Sequence, residues 1–393
     1  MDLRQRLASC AVGRASVLVV EVPGWAQTRW AVERELRQRG WRGALSPADA
    51  DLLVTCGLPG PRFTDALDLV WAQLPGPRAR VTVTAVAAGV LDDAARQLRD
   101  EDRQRQDAAD RAAGPEMGTL AAGDDAGQDD GDTADGDTTD TDHGDMDMAG
   151  GTDHGDMDMA GGMDHGDMDM DMAPGGIPLA SGGGGDRDGL DLDVLHLTLG
   201  PVLPCWPAGL LLHCTLHGDV VAEARPEALG AAAPEAGAAA VHHAPADRLD
   251  RAAQLLTLAG WNDAAVQAAR SRNDVLDAAD PADHAAAVSR LARRVRRSRT
   301  LRWSLSGLGR VGPSVDPAHR VDDRLQGDVR DRLLELLDDA RAGLEGAQPT
   351  GSRTPVDALP DLVSGLELAA VRLVVASLDL DVSAGQHSAV APT

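Results

Sequence analysis

An 11-residue unit that occurs three times in residues 142–172 carries the side chains with the clearest chemical potential. The copies read DHGDMDMAGG, TDHGDMDMAGG and MDHGDMDMDM, and each places one histidine a few residues before a pair of methionines. Thioether sulfur is a soft ligand that prefers Cu(I), and imidazole accepts copper, nickel or zinc. The repeat therefore predicts a labile copper or nickel site. Its candidate ligands are His143, Met146, Met148, His154, Met157, Met159, His165, Met168, Met170 and Met172.

The same repeat is also typical of a spacer that grew by duplication. Residues 112–186 contain 20 Asp or Glu and no Lys or Arg. Charges of one sign repel each other and extend a chain that cannot form a core. We therefore predict a disordered acidic linker over residues 114–186, and both interpretations of the repeat stay open.

Length and charge limit the classes of function. A chain of 393 residues can hold two domains and a linker, which we place at 1–113, 187–393 and 114–186. The net charge is −26, of which −20 lies in the acidic segment, so general binding of nucleic acid is disfavoured. A dense run of arginines, RLARRVRRSRTLR at 290–302, is the local exception. It is either a solvated helix face or a dock for an acidic partner, including the chain's own linker.

Cysteine usage and hydropathy point to the cytoplasm. The four cysteines form no C-x-x-C pair and no spacing typical of a zinc site, which favours a reducing compartment. The N-terminus is too polar for a signal peptide, and no stretch is apolar enough to span a membrane. We expect a cytoplasmic protein, with a peripheral place on the inner face of the cell membrane, held by partner subunits, left open.

Alternating strand and helix patterns fill the first half. We predict strands at 16–22, 51–56 and 80–86 and helices at 28–39 and 62–74, with Gly40 ending the first helix. This order indicates a parallel sheet, whose ligands bind beyond the carboxyl ends of the strands. Those ends read VPGW, TCGLPG and TAVAAG, and no nucleotide-binding fingerprint occurs among them.

The segment SPADADLLVTCGLPGPRFTDALDLVWAQLPGPRARVTVTA at 46–85 resembles the B subunit of NADH:quinone oxidoreductase (complex I) and the related small subunits of nickel-iron hydrogenases. The proline turn LPGPR at 74–78 is the most distinctive part. The resemblance implies a flavodoxin-like α/β fold and, in the family, four cysteines that hold a [4Fe-4S] cluster. Here only Cys56 lies near a strand end, so we expect no cluster.

Strand and helix patterns in the second half predict an α+β domain. An alternating pattern predicts a strand at 191–199. Two further strands, at 209–216 and 219–224, flank the turn His217-Gly218 and form a hairpin. Helical patterns follow at 245–279, 281–297 and 321–344. We also predict strands at 301–305 and 371–380. His196, His213 and His217 are interpreted as ordinary half-buried or exposed residues, and His242-His243 as part of a loop.

LHLTLGPVLPCWPAGLLLHCTLHGDVVAEARPE at 195–227, LRWSLSGLGRVG at 301–312 and GDVRDRLLELLDDARAGLEG at 327–346 resemble, in order, parts of the D subunit of the same oxidoreductase and of hydrogenase large subunits. The family's quinone-side histidines would lie near Leu203 and Pro207, which are apolar here. The chain has no tyrosine to donate a proton to quinone, and Cys205 and Cys214 are not spaced as nickel ligands.

The resemblances imply a fusion of two subunits that contact each other, without the residues that carry electrons or protons. We expect a non-catalytic pseudo-subunit of a complex I-like or hydrogenase-like assembly, whose partners are membrane-embedded, ion-translocating subunits. The alternative is a cytoplasmic protein that binds or buffers copper or nickel through the repeat. Beyond this metal, we expect no cofactor.

Overall fold

A four-stranded parallel sheet forms the centre of the N-terminal half. The computed structural model describes residues 10–85, 87–113, 184–185, 191–192, 194–232, 244–277, 281–311, 326–347 and 354–382. The strand order is β2-β1-β3-β4, and every pair is parallel. The predicted α/β sheet is therefore confirmed. The elements are β1 (Ser16–Glu21), α1 (Ala26–Arg39), β2 (Arg42–Gly43), β3 (Leu52–Cys56), α2 (Pro61–Gln73), β4 (Ala79–Val83), α3 (Ala87–Arg99) and α4 (Glu101–Ala113).

The side chains of this sheet alternate between two hydrophobic clusters. Val17 of β1 packs with α1 and α3 on one face, whereas Leu18 packs with α2 on the other. This alternation follows from the period of two in a strand. Helix α1 ends at Gly40, whose φ of 74° lies in the left-handed region, as predicted.

Helices α3 and α4 follow β4, where the sequence analysis assigned no element. Helix α4 has no buried residue, and polar contacts hold it in place. The guanidinium of Arg78 donates to both carboxylate oxygens of Asp107 and lies 4.0 Å from the ring centroid of Trp71. The arginine of the LPGPR turn thus anchors the last helix of this half.

The C-terminal half combines an antiparallel sheet with a group of helices. Strands β7, β8 and β9 pair in that order, and β8 and β9 form the predicted hairpin around His217-Gly218. The elements are β5 (Gly184–Gly185), β6 (Asp191–Leu192), β7 (Val194–Leu199), β8 (Leu210–His217), β9 (Val220–Ala228), α5 (Ala244–Leu258), α6 (Asn262–Leu276), α7 (Pro281–Arg297), α8 (Arg299–Leu305), α9 (Val329–Leu344), β10 (Thr354–Pro355), α10 (Leu359–Val363), α11 (Leu368–Ser377) and β11 (Leu380–Asp381).

Two predicted strands are helices. Residues 301–305 lie in α8, because the Ser298 hydroxyl accepts a hydrogen bond from the Leu301 amide and caps the helix. Residues 368–377 form α11, in which Val371, Val374 and Val375 are buried at helical spacing. The β-branched run favoured a strand, but burial of this face against the helices outweighs the local preference.

Two predicted helices have different bounds. The stretch 245–279 is divided between α5 and α6 at Gly260, whose φ is 76°. Helix α9 begins at Val329 instead of near 321, because Asp328 and Asp331 form a reciprocal capping box at its start. No helix in the described ranges is both long and apolar enough to cross a membrane.

Candidate functional site

The N-terminal and C-terminal halves pack directly against each other and belong to one compact unit, 1–114 with 182–393. Leu211 and Leu229, from the C-terminal half, are buried in the cluster that contains Leu18 and Phe63 of the N-terminal half. A β-bridge between Pro59 and Ala231 adds backbone pairing. The two halves therefore share part of one hydrophobic core.

The carboxyl ends of the parallel strands are covered by chain. Trp25, in the loop after β1, is 3% exposed and packs over Gly57 at the end of β3. A Cβ at Gly57 would lie 2.3 Å from Cγ of Trp25, and the φ of Gly57 is 112°. Pro23 packs closely on Gly209 of the C-terminal half, where an added Cβ would lie 2.5 Å from Cγ of Pro23. Protein atoms thus fill much of the edge where ligands were expected.

A cleft of about 460 Å³ lies beside this contact, between β1 and α1 on one side and α5, α6 and the 200–209 loop on the other. Its walls include Val19, Leu36, Leu203 and Trp206. Leu203 marks the position where the resemblance would have placed a quinone-side histidine. The wall at this point is apolar.

Five of the charged side chains that line the cleft form one network. Asp250 of α5 accepts hydrogen bonds from Arg29 of α1 at 2.5 Å and from Arg272 of α6 at 2.5 Å, through separate carboxylate oxygens. Arg29 also donates to Glu21 at 2.5 Å and to Glu33 at 2.6 Å. Arg272 lies 2.8 Å from the second oxygen of Glu33. This interface network joins the halves through alternating charges.

Burial makes the interface network electrostatically strong. Arg29, Asp250 and Arg272 are 8%, 4% and 1% exposed. Burial alone raises the pKa of the Asp250 carboxyl, but attraction from Arg29 and Arg272 outweighs it and lowers this pKa to about 2. Burial likewise opposes ionisation of Glu33, and the same two arginines lower its pKa overall. For Glu21, burial dominates and raises the pKa despite the contact with Arg29.

Cys205 lies in the cleft wall but is a weak nucleophile there. Burial raises the pKa of its thiol to about 11, so the thiol stays protonated near neutral pH. Its φ of 56° is unusual for a residue with a side chain. The four cysteines, all in the described part of the chain, form no disulfide.

The other predicted residues are scattered. His196 is exposed, and His213 and His217 are half-buried, as expected. His213 contacts Glu227 at 3.1 Å and Thr198 at 3.0 Å, which satisfies both ring nitrogens. Across the described ranges, no group of three or more His, Cys, Asp or Glu is arranged to hold a metal ion. The repeat at 142–172, its ten candidate ligands and His242-His243 lie outside the described residues.

Sequence reasoning missed the interface network, although a signal was present. Glu21 interrupts the apolar run SVLVVEV, and Asp250 lies among the apolar residues of LDRAAQLL. A charge on the buried face of an element requires a partner, and here the partners come from distant segments. Comparison with protein family models, curated protein sequences and solved structures gave no match.

We predict that Asp250→Asn lowers the free energy of unfolding by about 3–5 kcal/mol, because it leaves Arg29 and Arg272 without their shared buried carboxylate. Urea denaturation followed by tryptophan fluorescence measures the change. Asp277→Asn is the matched control, since its contact with Arg34 also joins the halves but its side chain is 59% exposed. That substitution should cost less than about 1 kcal/mol. Equal effects of the two changes would contradict the role given to Asp250.

The acid dependence of stability follows from the same group. Because the folded pKa of Asp250 is depressed, its contribution is present above the unfolded value of 3.8 and is lost as pH falls towards about 2. This loss amounts to about 2 kcal/mol of unfolding free energy. Glu33 acts in the same direction, whereas Glu21, with a raised pKa, costs stability as pH rises above 4.5. Urea titrations between pH 2 and 5 should show a steeper acid loss in the wild type than in Asp250→Asn.

Proposed function

We propose that this chain is a non-catalytic pseudo-subunit of a complex I-like or hydrogenase-like membrane-associated assembly. In this proposal, residues 1–113 are a B-like domain and residues 187–393 are a D-like domain. Their common role is to present a docking surface to an ion-translocating membrane module. The protein would then lie in the cytoplasm, at the inner face of the membrane, through its partner subunits.

The observation that carries the proposal is the buried interface network. Two halves that resemble contacting subunits of one enzyme class are joined through Asp250, Arg29 and Arg272. A buried ion pair demands good geometry, since a charge without its partner is costly. The network therefore favours one fixed arrangement of the halves over a flexible tether, as a docking platform requires.

The chemistry of the cleft supports a structural role. The carboxylates of the interface network are held by guanidinium groups, and the thiol of Cys205 is protonated. A general base needs access to a substrate proton and a pKa near the working pH. Asp250, with a pKa of about 2 and both oxygens engaged, has neither property.

Affinity purification from the native host tests the proposal. The tagged chain should recover multi-spanning, ion-translocating subunits in mild detergent. The purified complex should show no iron–sulfur absorption that belongs to this chain. Recovery of the chain alone would overturn the docking role, and an iron–sulfur band from the isolated chain would overturn the non-catalytic one.

The repeat supports a second candidate function, copper or nickel binding. Three histidines and eight methionines within 142–172 form a dense soft-ligand set, and binding to such a segment must order it. The metal-bound repeat would act as a labile metal buffer or as a metal-delivery site, and this role would not involve the cleft.

Competition with a Cu(I) chelator tests this candidate. We expect the wild-type chain to withdraw Cu(I) from the chelator. A variant of equal length with Ser at the ten candidate positions should not do so, because serine supplies no soft donor. A second variant, with the repeat's aspartates changed to Asn, controls for charge. Equal affinity of the wild type and the Ser variant would exclude copper binding by the repeat.

A further inference from the structure

One face of α7 is lined by arginines. Arg290, Arg293, Arg294 and Arg297 recur at the spacing that places residues on the same side of a helix, and all four are exposed. With Trp261 and Ser298 they surround an open hollow of about 470 Å³. We call these four arginines the arginine face.

None of these four arginines has an acidic partner among the described residues. Arg294 lies 4.8 Å from the ring centroid of Trp261 and contacts Gln267. Neighbouring Arg296 pairs with Asp338 at 2.9 Å. Arg290, Arg293 and Arg297 have no carboxylate within ion-pair distance in the part of the chain that is described. Like charges on adjacent turns repel each other, and the favourable interaction of the last-turn arginines with the helix dipole offsets this repulsion only in part.

Helix α8, which follows α7 directly after Ser298, carries an exposed aromatic residue. Trp303 is 86% exposed, and Arg299 and Arg302 on the same short helix are exposed too. Arginine and tryptophan are among the residues most enriched at the energetic centres of protein interfaces, since both combine a large contact area with polar contacts. This combination indicates a surface that has a partner.

We propose that the arginine face, together with Trp303, binds a carboxylate-rich segment of a partner protein. A planar guanidinium can donate two parallel hydrogen bonds to one carboxylate, so each free arginine can hold one Asp or Glu side chain. The hollow takes the acidic side chains, and Trp303 contacts apolar residues that flank them. The identity of the partner as a subunit of the membrane assembly rests on the proposed function, whereas its acidic chemistry rests on this surface alone.

The hollow at the arginine face and the net charge of the chain favour a protein partner over a bilayer or a nucleic acid. A hollow accepts protruding side chains, while a bilayer surface is broad and shallow. The chain carries a net charge of −26, which opposes its approach to any extended polyanion. A short acidic segment carries few charges, so the negative chain repels it less than an extended polyanion, and its side chains can fit the hollow.

Fluorescence anisotropy with a dye-labelled oligoglutamate peptide tests the surface in the full chain. We expect binding that weakens with salt, and a loss of about tenfold in affinity for the variant with Arg290→Gln, Arg293→Gln and Arg297→Gln. The matched control changes Arg96, Arg103 and Arg105 to Gln. These are three exposed arginines of α3 and α4, and the control removes the same charge. It should bind the peptide as the wild type does.

A footprint on the wild-type protein removes any dependence on the folding of variants. An arginine-specific dicarbonyl reagent should modify Arg290, Arg293 and Arg297 more slowly when the oligoglutamate peptide is present, with unchanged rates at Arg96 and Arg105. The substitution Trp303→Ala should lower the affinity for an acidic peptide that also carries leucines. It should leave the affinity for oligoglutamate nearly unchanged.

The results separate this inference from the proposed function. Equal peptide binding by the wild type and the arginine variant, or no peptide protection of the arginine face, overturns the inference even if membrane subunits co-purify. Tighter binding to phosphatidylglycerol vesicles or to an oligonucleotide than to the peptide also overturns it, in favour of that polyanion. If no subunit co-purifies but the peptide binds at the arginine face, the proposed function fails and the acidic-partner site stands.

Discussion

One buried carboxylate, that of Asp250, joins charges from the two halves at their interface. It lies on the first helix after the hairpin and bridges a guanidinium from the N-terminal half to one from its own half. Removing these charges from water is costly, and their mutual attraction roughly offsets that cost. The interface network therefore adds less to net stability than to specificity. An orientation that kept these groups buried but separated them would leave a charge without a partner. The shared core around Leu211 and Leu229 supplies the non-directional attraction.

The balance of charge within the network also limits its chemistry. Three carboxylates meet two guanidinium groups, so the fully ionised cluster carries one excess negative charge. Burial raises the pKa of Glu21, the carboxylate that contacts only one of the arginines, which is where the excess charge is most costly. Asp250 and Glu33 stay ionised because each contacts both arginines. Because the carboxylates of this cluster are engaged by the arginines, the apolar walls of the cleft are the part open to a ligand.

How much the sequence could predict depends on whether the determinant is local. Three strands of the parallel sheet, the Gly40 helix end and the hairpin at His217-Gly218 follow from short-range patterns, and all are present, whereas the two-residue strand β2 was not predicted. The run at 371–380 has the composition of a strand but is mostly helix, since its valines face a core built by α5 and α9. The interface network could not be predicted, because Arg29 and Asp250 are 221 positions apart and nothing local links them. The charges at Glu21 and Asp250 nevertheless marked buried faces that needed a partner.

The network is compact because its cations are arginines. The chain has 37 basic residues and none is lysine. Arg29 donates from Nε to Glu21, from Nη1 to Glu33 and from Nη2 to Asp250, so one rigid fork engages three carboxylates in fixed directions. A lysine ammonium is a single point charge whose pKa falls when it is buried, whereas a guanidinium stays charged. One guanidinium fork can therefore hold three acidic groups from two halves in fixed directions and keep its charge when buried. The same property underlies the proposed binding of carboxylates from another molecule at the arginine face of α7, which has no acidic partner among the described residues.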